Sequence, residues 1–284
     1  MPRYKLTIAY DGTDFHGWQK QYPRAEDHPD HHDSPPADLD HLTPTPEGRV
    51  ALRTVQGIVE HAVQTVCRER IILTGASRTD SGVHALGQVA AFTSNPDPAR
   101  GVGWPIDRTC QTLVRALNGS LPRDVLIRDA AIVPDTFDPI ADAIAKEYTY
   151  TFLAGHDRPL WDRRYLFHTW YDLDPALMLQ AARDFIGQHD FAAFAQISHG
   201  RKTTIRSIHS CTIETPAPNR IILRVSGSGF LYNMVRIIAG TLMEVGRSRI
   251  PADAIPTIIA SRDRRQAGPT LPPQGLRLEW IRYP

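Results

Sequence analysis

The sequence lacks the features that would set it apart from ordinary globular proteins. No run approaches the ~20 consecutive apolar residues of a membrane-spanning helix. Cysteine is scarce: Cys67, Cys110 and Cys211 lie far apart, with neither zinc-site spacing nor the even count of a disulfide framework. Ordinary buried or half-buried thiols are expected instead. No glycine-rich loop of the phosphate-cradling kind is present. The start, Met1-Pro2-Arg3-Tyr4-Lys5, runs straight into an alternating strand with no hydrophobic signal region, so a cytoplasmic protein with no membrane association is expected. A large excess of basic residues is lacking too, at a net charge of +1. That figure averages unlike parts. Residues 24 to 53 hold seven acids and three bases, and the rest of the chain keeps 29 bases against 24 acids. A mildly basic body of this kind permits phosphate binding.

What is present fits two domains. The chain has 284 residues, 42% of them apolar and 22% charged, where ~150 residues per domain is an ordinary allotment. Lys5 to Tyr10 alternates as a half-buried strand, with Leu6, Ile8 and Tyr10 on one face. Thr54 is a candidate N-cap for a helix with Val55, Ile58, Val59, Ala62, Val63 and Val66 at helical spacing. Strands are expected at Ile71 to Thr74 and Leu86 to Phe92. A second helix follows, with Ile106, Leu113 and Leu117 on one side and Asn118-Gly119 ending it, and then a strand from Val125 to Val133. The order is β-α-β-β-α-β, the ferredoxin-like or split βαβ arrangement. The second half repeats it: a strand at 146–153, a helix at 175–187, strands at 204–214 and 220–226, helices at about 232–245 and 252–261, and a last strand near 276–281. No sequence self-similarity accompanies the repeat.

The expected architecture is therefore α+β, with two ferredoxin-like halves, residues 1–134 and 135–284, sharing a mostly antiparallel sheet with a central cleft. Residues 22 to 52 interrupt the first half. They hold six prolines and four histidines with no apolar period, the composition of a solvated linker rather than of a metal site.

The most informative stretch is Gly75-Ala-Ser-Arg78-Thr79-Asp80-Ser-Gly82-Val-His84-Ala-Leu-Gly87-Gln88-Val-Ala-Ala-Phe92. It places an Arg and an Asp two residues apart in a short glycine-bounded loop between strands. A carboxylate held by rigid neighbours suits a nucleophile or general base; a plain turn, with a capping Asp and a solvated Arg, is the alternative. The run resembles the active-site loop of the TruA-type tRNA pseudouridine synthases. So do Tyr10-Asp-Gly-Thr-Asp-Phe-His-Gly-Trp-Gln19, Thr54-Val-Gln-Gly57, Ala145-Lys-Glu-Tyr148-Thr-Tyr150 and Gly229-Phe-Leu-Tyr-Asn-Met-Val-Arg236, together with segments near Ala267–Thr270 and Pro273–Leu276. The resemblance spans nearly the whole chain except the insertion.

That resemblance implies an isomerase that converts uridine to pseudouridine in the anticodon stem-loop of tRNA, around positions 38–40, as a homodimer and without metal or cofactor. It implies Asp80 as catalytic nucleophile and Arg236 as the cation that keeps it ionised in a pocket where burial would otherwise raise its pKa. Tyr148 would stack on the flipped uracil, and Arg78 would fill the gap the base leaves. His84 is expected to be a structural hydrogen-bonder, and His189-Asp190-Phe191 to cap a helix end. Arg201-Lys202 with Arg206, and Arg262, Arg264 and Arg265, are candidate phosphate contacts. Two positions depart from the family: Ile140 stands where an Arg is usual, and Ser77 where a Gly precedes the motif's Arg. The rival functions are a catalytically silent RNA-binding module, against which the intact Asp80, Tyr148 and Arg236 argue, and an Asp-nucleophile glycosidase, which would need a second paired carboxylate.

Overall fold

A computed structural model of the chain describes residues 1–24, 26, 46–196 and 203–284. Most of the Pro/His-rich insertion and the Arg201-Lys202 pair lie outside the described residues. The chain divides into two compact units, Met1–Ala143 and Ile144–Pro284. Residues 135 to 143 go with the first unit, where Arg3 Nε donates to the Phe137 carbonyl at 2.7 Å.

The first unit runs β1 (Arg3–Tyr10), α1 (Val55–Cys67), β2 (Thr74–Gly75), β3 (His84–Thr93), α2 (Cys110–Ser120) and β4 (Val125–Val133). This is the expected β-α-β-β-α-β order. The antiparallel ladder reads β4-β1-β3, with β2 also paired to β3. The alternation in β1 buries Leu6, Ile8 and Tyr10 as expected, and Val59 and Val63 of α1 and Leu113 and Leu117 of α2 are buried as well. Thr54 caps α1 by accepting from Gly57 N.

Two expectations fail here. Ile106 is exposed and lies before α2 rather than in its apolar stripe. Asn118 does not end that helix; its amide reaches β4, donating to the Ile127 carbonyl at 2.9 Å and accepting from Ile127 N at 2.8 Å. The strand expected over 71–74 shrinks to Thr74–Gly75, because its backbone is served by a helix instead. Gln56, Glu60 and Gln64, spaced four apart on α1, are all buried. Gln64 Nε2 donates to the Ile71 carbonyl and Gln56 Nε2 to the Leu73 carbonyl, both at 2.8 Å, while Glu60 Oε2 accepts from Leu73 N at 2.8 Å. Buried backbone groups must be paired, and three side chains take the place of a neighbouring strand.

The second unit runs β5 (Ala145–Ala154), β6 (Phe167–Thr169), α3 (Pro175–Arg183), β7 (Gly187–Asp190), β8 (Ile205–Ala217), β9 (Arg220–Gly227), α4 (Met234–Gly246), α5 (Ile255–Ser261) and β10 (Leu276–Arg282). Its ladder reads β10-β5-β9-β8-β7, antiparallel throughout, and short β6 adds to β5 in parallel. With β6, β7 and α5 set aside, β5-α3-β8-β9-α4-β10 has the order of the first unit. The spatial sequence of fourth, first, third and second strand is also the same. The α+β duplication is thus one of topology. Met178, Ala181 and Ala182 of α3 meet the apolar face of α4, whose Ile237, Ile238 and Leu242 are fully buried.

All three cysteines are free thiols; Cys67 and Cys211 are buried and Cys110 is half-buried. Burial pushes the Cys67 and Cys211 thiols up to about 12. No helix among the described residues is long and apolar enough to cross a membrane.

The base of the insertion is closed. Arg24 and Arg49 form an antiparallel bridge, Val50 N donates to the Pro23 carbonyl at 3.0 Å, and Leu52 N to the Gln21 carbonyl at 3.1 Å. Since the two ends already meet, replacing residues 25 to 48 by a short Gly/Ser linker is expected to leave the fold intact. Closure entropy changes slowly with loop length, so stability should move by about 1 kcal/mol or less. If the chain binds tRNA, as its resemblance implies, removing an acidic segment should leave that affinity unchanged or slightly raised at low salt. Thermal unfolding and tRNA titration of the variant check both parts, and a large drop in either would reverse the reading.

Candidate active site

The loop between β2 and β3 presents Arg78, exposed, and Asp80, half-buried. It is held from below at alternate residues. Gln88, fully buried on β3, grips Ser77: its Oε1 accepts from Ser77 N at 3.2 Å and its Nε2 donates to the Ser77 carbonyl at 2.6 Å. The Thr79 hydroxyl lies 2.7 Å from the Tyr10 hydroxyl, and the Thr79 carbonyl accepts from Trp18 N at 3.0 Å. Ser81 Oγ donates to the Phe15 carbonyl at 3.0 Å. The Asp80 carbonyl closes the turn by accepting from Val83 N at 3.1 Å.

The turn after β1 forms the other wall of this clamp. Its glycines are there for contact. A Cβ on Gly12 would sit 2.0 Å from the Val83 carbonyl oxygen, and Gly17, at φ +87°, would bring one 2.7 Å from the Thr79 carbonyl oxygen. Gly75 faces Trp18 in the same way, with Nε1 only 2.2 Å from where a Cβ would be. Backbone approach this close admits no side chain.

His84 is buried and its Nδ1 lies 3.0 Å from Gly12 N and 3.2 Å from Asp11 Oδ1. A backbone N–H can only donate, so Nδ1 is an acceptor and the proximity to Asp11 is not an ion pair. Asp11 Oδ1 instead accepts from the N–H and hydroxyl of Thr13. His84 therefore holds the turn, as expected of a structural hydrogen-bonder. Ser77, the departure from the usual Gly, is absent from the positive-φ residues. Its backbone needs no glycine.

In the second unit, Tyr148 on β5 is buried and meets Phe230 edge-on, ring centroids 5.2 Å apart. Tyr150, two residues on, is fully buried and donates its hydroxyl to the Pro272 carbonyl at 2.8 Å. Burial pushes its phenol up, only partly offset by Arg236. Tyr150 is thus a structural residue. Arg236, in the first turn of α4, donates from Nε to the Leu271 carbonyl at 2.6 Å and from Nη1 to Asn233 Oδ1 at 2.8 Å. Residues 268–272 are strapped to α4, since a Cβ on Gly240 would lie 1.9 Å from the Pro269 carbonyl oxygen and Thr241 Oγ1 accepts from Gly268 N at 2.8 Å. The guanidinium is oriented by that strap rather than snorkelling at a helix edge.

Among the described residues, the other basic candidates are engaged within the unit. Arg262 pairs with Asp190, Arg265 with Asp263, and Arg264 Nη1 donates to the Gly268 carbonyl at 2.9 Å. Arg206 Nη1 donates to the Thr203 and Ile205 carbonyls. Asp190 Oδ1 accepts from Ala192 N, the first residue of a short 3-10 turn whose N-cap position is Phe191, so the 189–191 segment adjoins that turn without supplying an N-cap side chain. Ile140 is exposed on a turn whose Asp138 Oδ1 accepts from Ile140 N and Ala141 N. These backbone bonds hold the Asp138 carboxyl below its ordinary range. The turn thus keeps its shape without the usual Arg. Among the described residues, no group of three or more His, Cys, Asp or Glu is arranged to hold a metal ion. Tyr10, Trp18 and Gln88 lie in the motifs quoted above, but their roles in the clamp were not read from the sequence.

A family model described as tRNA pseudouridine synthase matches residues 181–284, within the second unit. Full-length relatives extend that match to the whole chain. A "tRNA pseudouridine synthase A 2" of Clostridium perfringens is 38% identical over 284 residues, covering all of both chains. A "tRNA pseudouridine synthase A" of Acetivibrio thermocellus is 39% identical over 284 residues, and one of Geotalea uraniireducens 39% over 283, again covering all of both chains. The chain belongs to the tRNA pseudouridine synthase A family.

Proposed function

We propose that the protein is an isomerase that converts uridine to pseudouridine in tRNA, with Asp80 as the catalytic nucleophile. The observation that carries the assignment of the residue is the loop itself, where Ser77, Thr79 and Ser81 are tied down and Asp80 is presented between them. In the reaction the N1–C1′ bond breaks, the uracil turns, C5 bonds to C1′, and the C5 proton is lost while N1 gains one. Atoms and electrons balance within one nucleotide, so no second substrate is required. An ionised carboxylate serves attack at the pyrimidine ring or at C1′ alike.

Tyr148 is assigned to stacking on the extruded uracil, worth ~1–3 kcal/mol against the few kcal/mol of unstacking. Tyr150, with its hydroxyl committed to Pro272, is not a competitor for that role. Arg236 is assigned to stabilising the nucleophile's anionic form, and exposed Arg78 to the space the base vacates. The target uridines are those of the anticodon stem-loop, at roughly positions 38–40, and the enzyme is cytoplasmic.

Incubation of the pure protein with unmodified tRNA, followed by a pseudouridine readout, tests the activity. tRNA binding with no pseudouridine would leave a silent RNA-binding module. Tyr148→Phe keeps the ring and is expected to retain more single-turnover activity than Tyr148→Leu, which should lose about tenfold or more. Equal rates for Leu and wild type would remove Tyr148 from the site. The enzyme is further proposed to be a homodimer. Leu160, Trp161 and Trp170 are exposed on the segment between β5 and α3, and they are the kind of apolar surface a second copy covers. Light scattering is expected to return twice the chain mass, and a monomer at micromolar concentration would exclude it.

A further inference from the structure

We propose that Tyr10 is a positioning residue for catalysis, setting Asp80 through the hydroxyl pair it forms with Thr79; the inference rests on the reading of Asp80 as nucleophile. Tyr10 is the last residue of β1 and only 5% exposed. Its hydroxyl lies 2.7 Å from Thr79 Oγ1, across 69 residues of sequence, with both groups buried. Its ring is tilted against Trp18 with centroids 6.2 Å apart, and Trp18 N donates to the Thr79 carbonyl at 3.0 Å. Thr79 is therefore gripped at its side chain by Tyr10 and at its backbone by the residue that supports Tyr10. The peptide that follows is the one that carries Asp80.

The neighbouring anchors hold Ser77 and Ser81. They leave Thr79 as the contact that sets where the carboxylate's own backbone starts. A nucleophile must sit within about 0.5 Å of its productive position, and a displacement near 1 Å costs on the order of 10²-fold in rate. Gripping a residue one removed from the nucleophile gives that precision without placing a competing donor against the substrate.

Tyr10→Phe keeps the ring on Trp18 and deletes only the hydroxyl; Thr79→Val keeps the volume and deletes the partner. Each is expected to slow single-turnover pseudouridine formation by about 10- to 100-fold, with tRNA Kd within twofold and the melting temperature within a few degrees of wild type. The double variant should be no slower than the slower single one, because both remove one contact. Thr79→Ser, which keeps the hydroxyl, should recover most of the rate. Wild-type rates for Tyr10→Phe and Thr79→Val would overturn the proposal, as would additive losses or losses that merely follow the unfolded fraction. Asp80→Asn in parallel separates the two readings. If it stays active the nucleophile is misassigned, whereas an inactive Asp80→Asn beside a fully active Tyr10→Phe removes the positioning role alone.

Discussion

Replacing Asp80 by Asn is expected to lower pseudouridine formation by at least about 10⁴-fold, while tRNA affinity stays within a few-fold of wild type. The amide matches the carboxylate in shape but is neutral and a poor nucleophile. The loop should survive the change. Its anchors run through Ser77, Thr79 and Ser81 and through the Asp80 carbonyl, which accepts from Val83 N. Affinity for tRNA comes chiefly from phosphate contacts spread over the protein, and deleting one negative charge does not weaken those. Single-turnover assays with saturating enzyme separate the two quantities, and a melting curve checks the fold. Pseudouridine formed by the Asn variant at near wild-type rate would sink the assignment of the nucleophile.

The second large effect concerns stability, and its sign runs against the helical pattern of the sequence. Glu60 lies on the buried face of α1, where Leu would ordinarily be the better residue. Glu60→Leu is nevertheless expected to destabilise the first unit by about 2–3 kcal/mol. Leu73 N now donates to Glu60 Oε2 at 2.8 Å, and Leu would strand that donor in the core, which alone costs about 1–3 kcal/mol. The ion pair with Lys20 goes as well. Its loss is discounted, because the Lys20 side chain is 23% exposed and can turn to water. A drop of roughly 5–10 °C in melting temperature should follow. Glu60→Gln keeps an acceptor for Leu73 N and should lose less than half as much. An unchanged melting temperature for Glu60→Leu would mean that the 71–73 segment finds another partner.

Much of the fold was legible because its elements are strongly periodic. The strand expected at Val125 to Val133 has those bounds, and the helix expected to start after Thr54 starts at Val55. Alternation in β1 and the apolar face of α4 are local patterns, set by which side chains can share one buried surface. Where the reading failed, the deciding partner was distant. Ile71 to Thr74 is as apolar and β-branched as a strand, yet its backbone is taken up by Gln56, Glu60 and Gln64. Ile106 has an apolar residue's spacing, but the chain turns before α2 begins at Cys110.

The sequence by itself determined the α+β class, the repeated β-α-β-β-α-β order and, through its resemblance to a known family, the residues to which chemistry is assigned. Those follow from periodicity and from short motifs, which are properties of neighbouring residues. Only the tertiary structure decided which polar groups are spent on holding the molecule together. It tied Tyr150 to Pro272, Arg264 to Gly268 and Gln88 to Ser77, and it joined Tyr10 to Thr79 beneath Asp80. A hydrogen bond depends on a separation of about 3 Å in space, and nothing in a linear order of residues encodes that separation until the chain is folded.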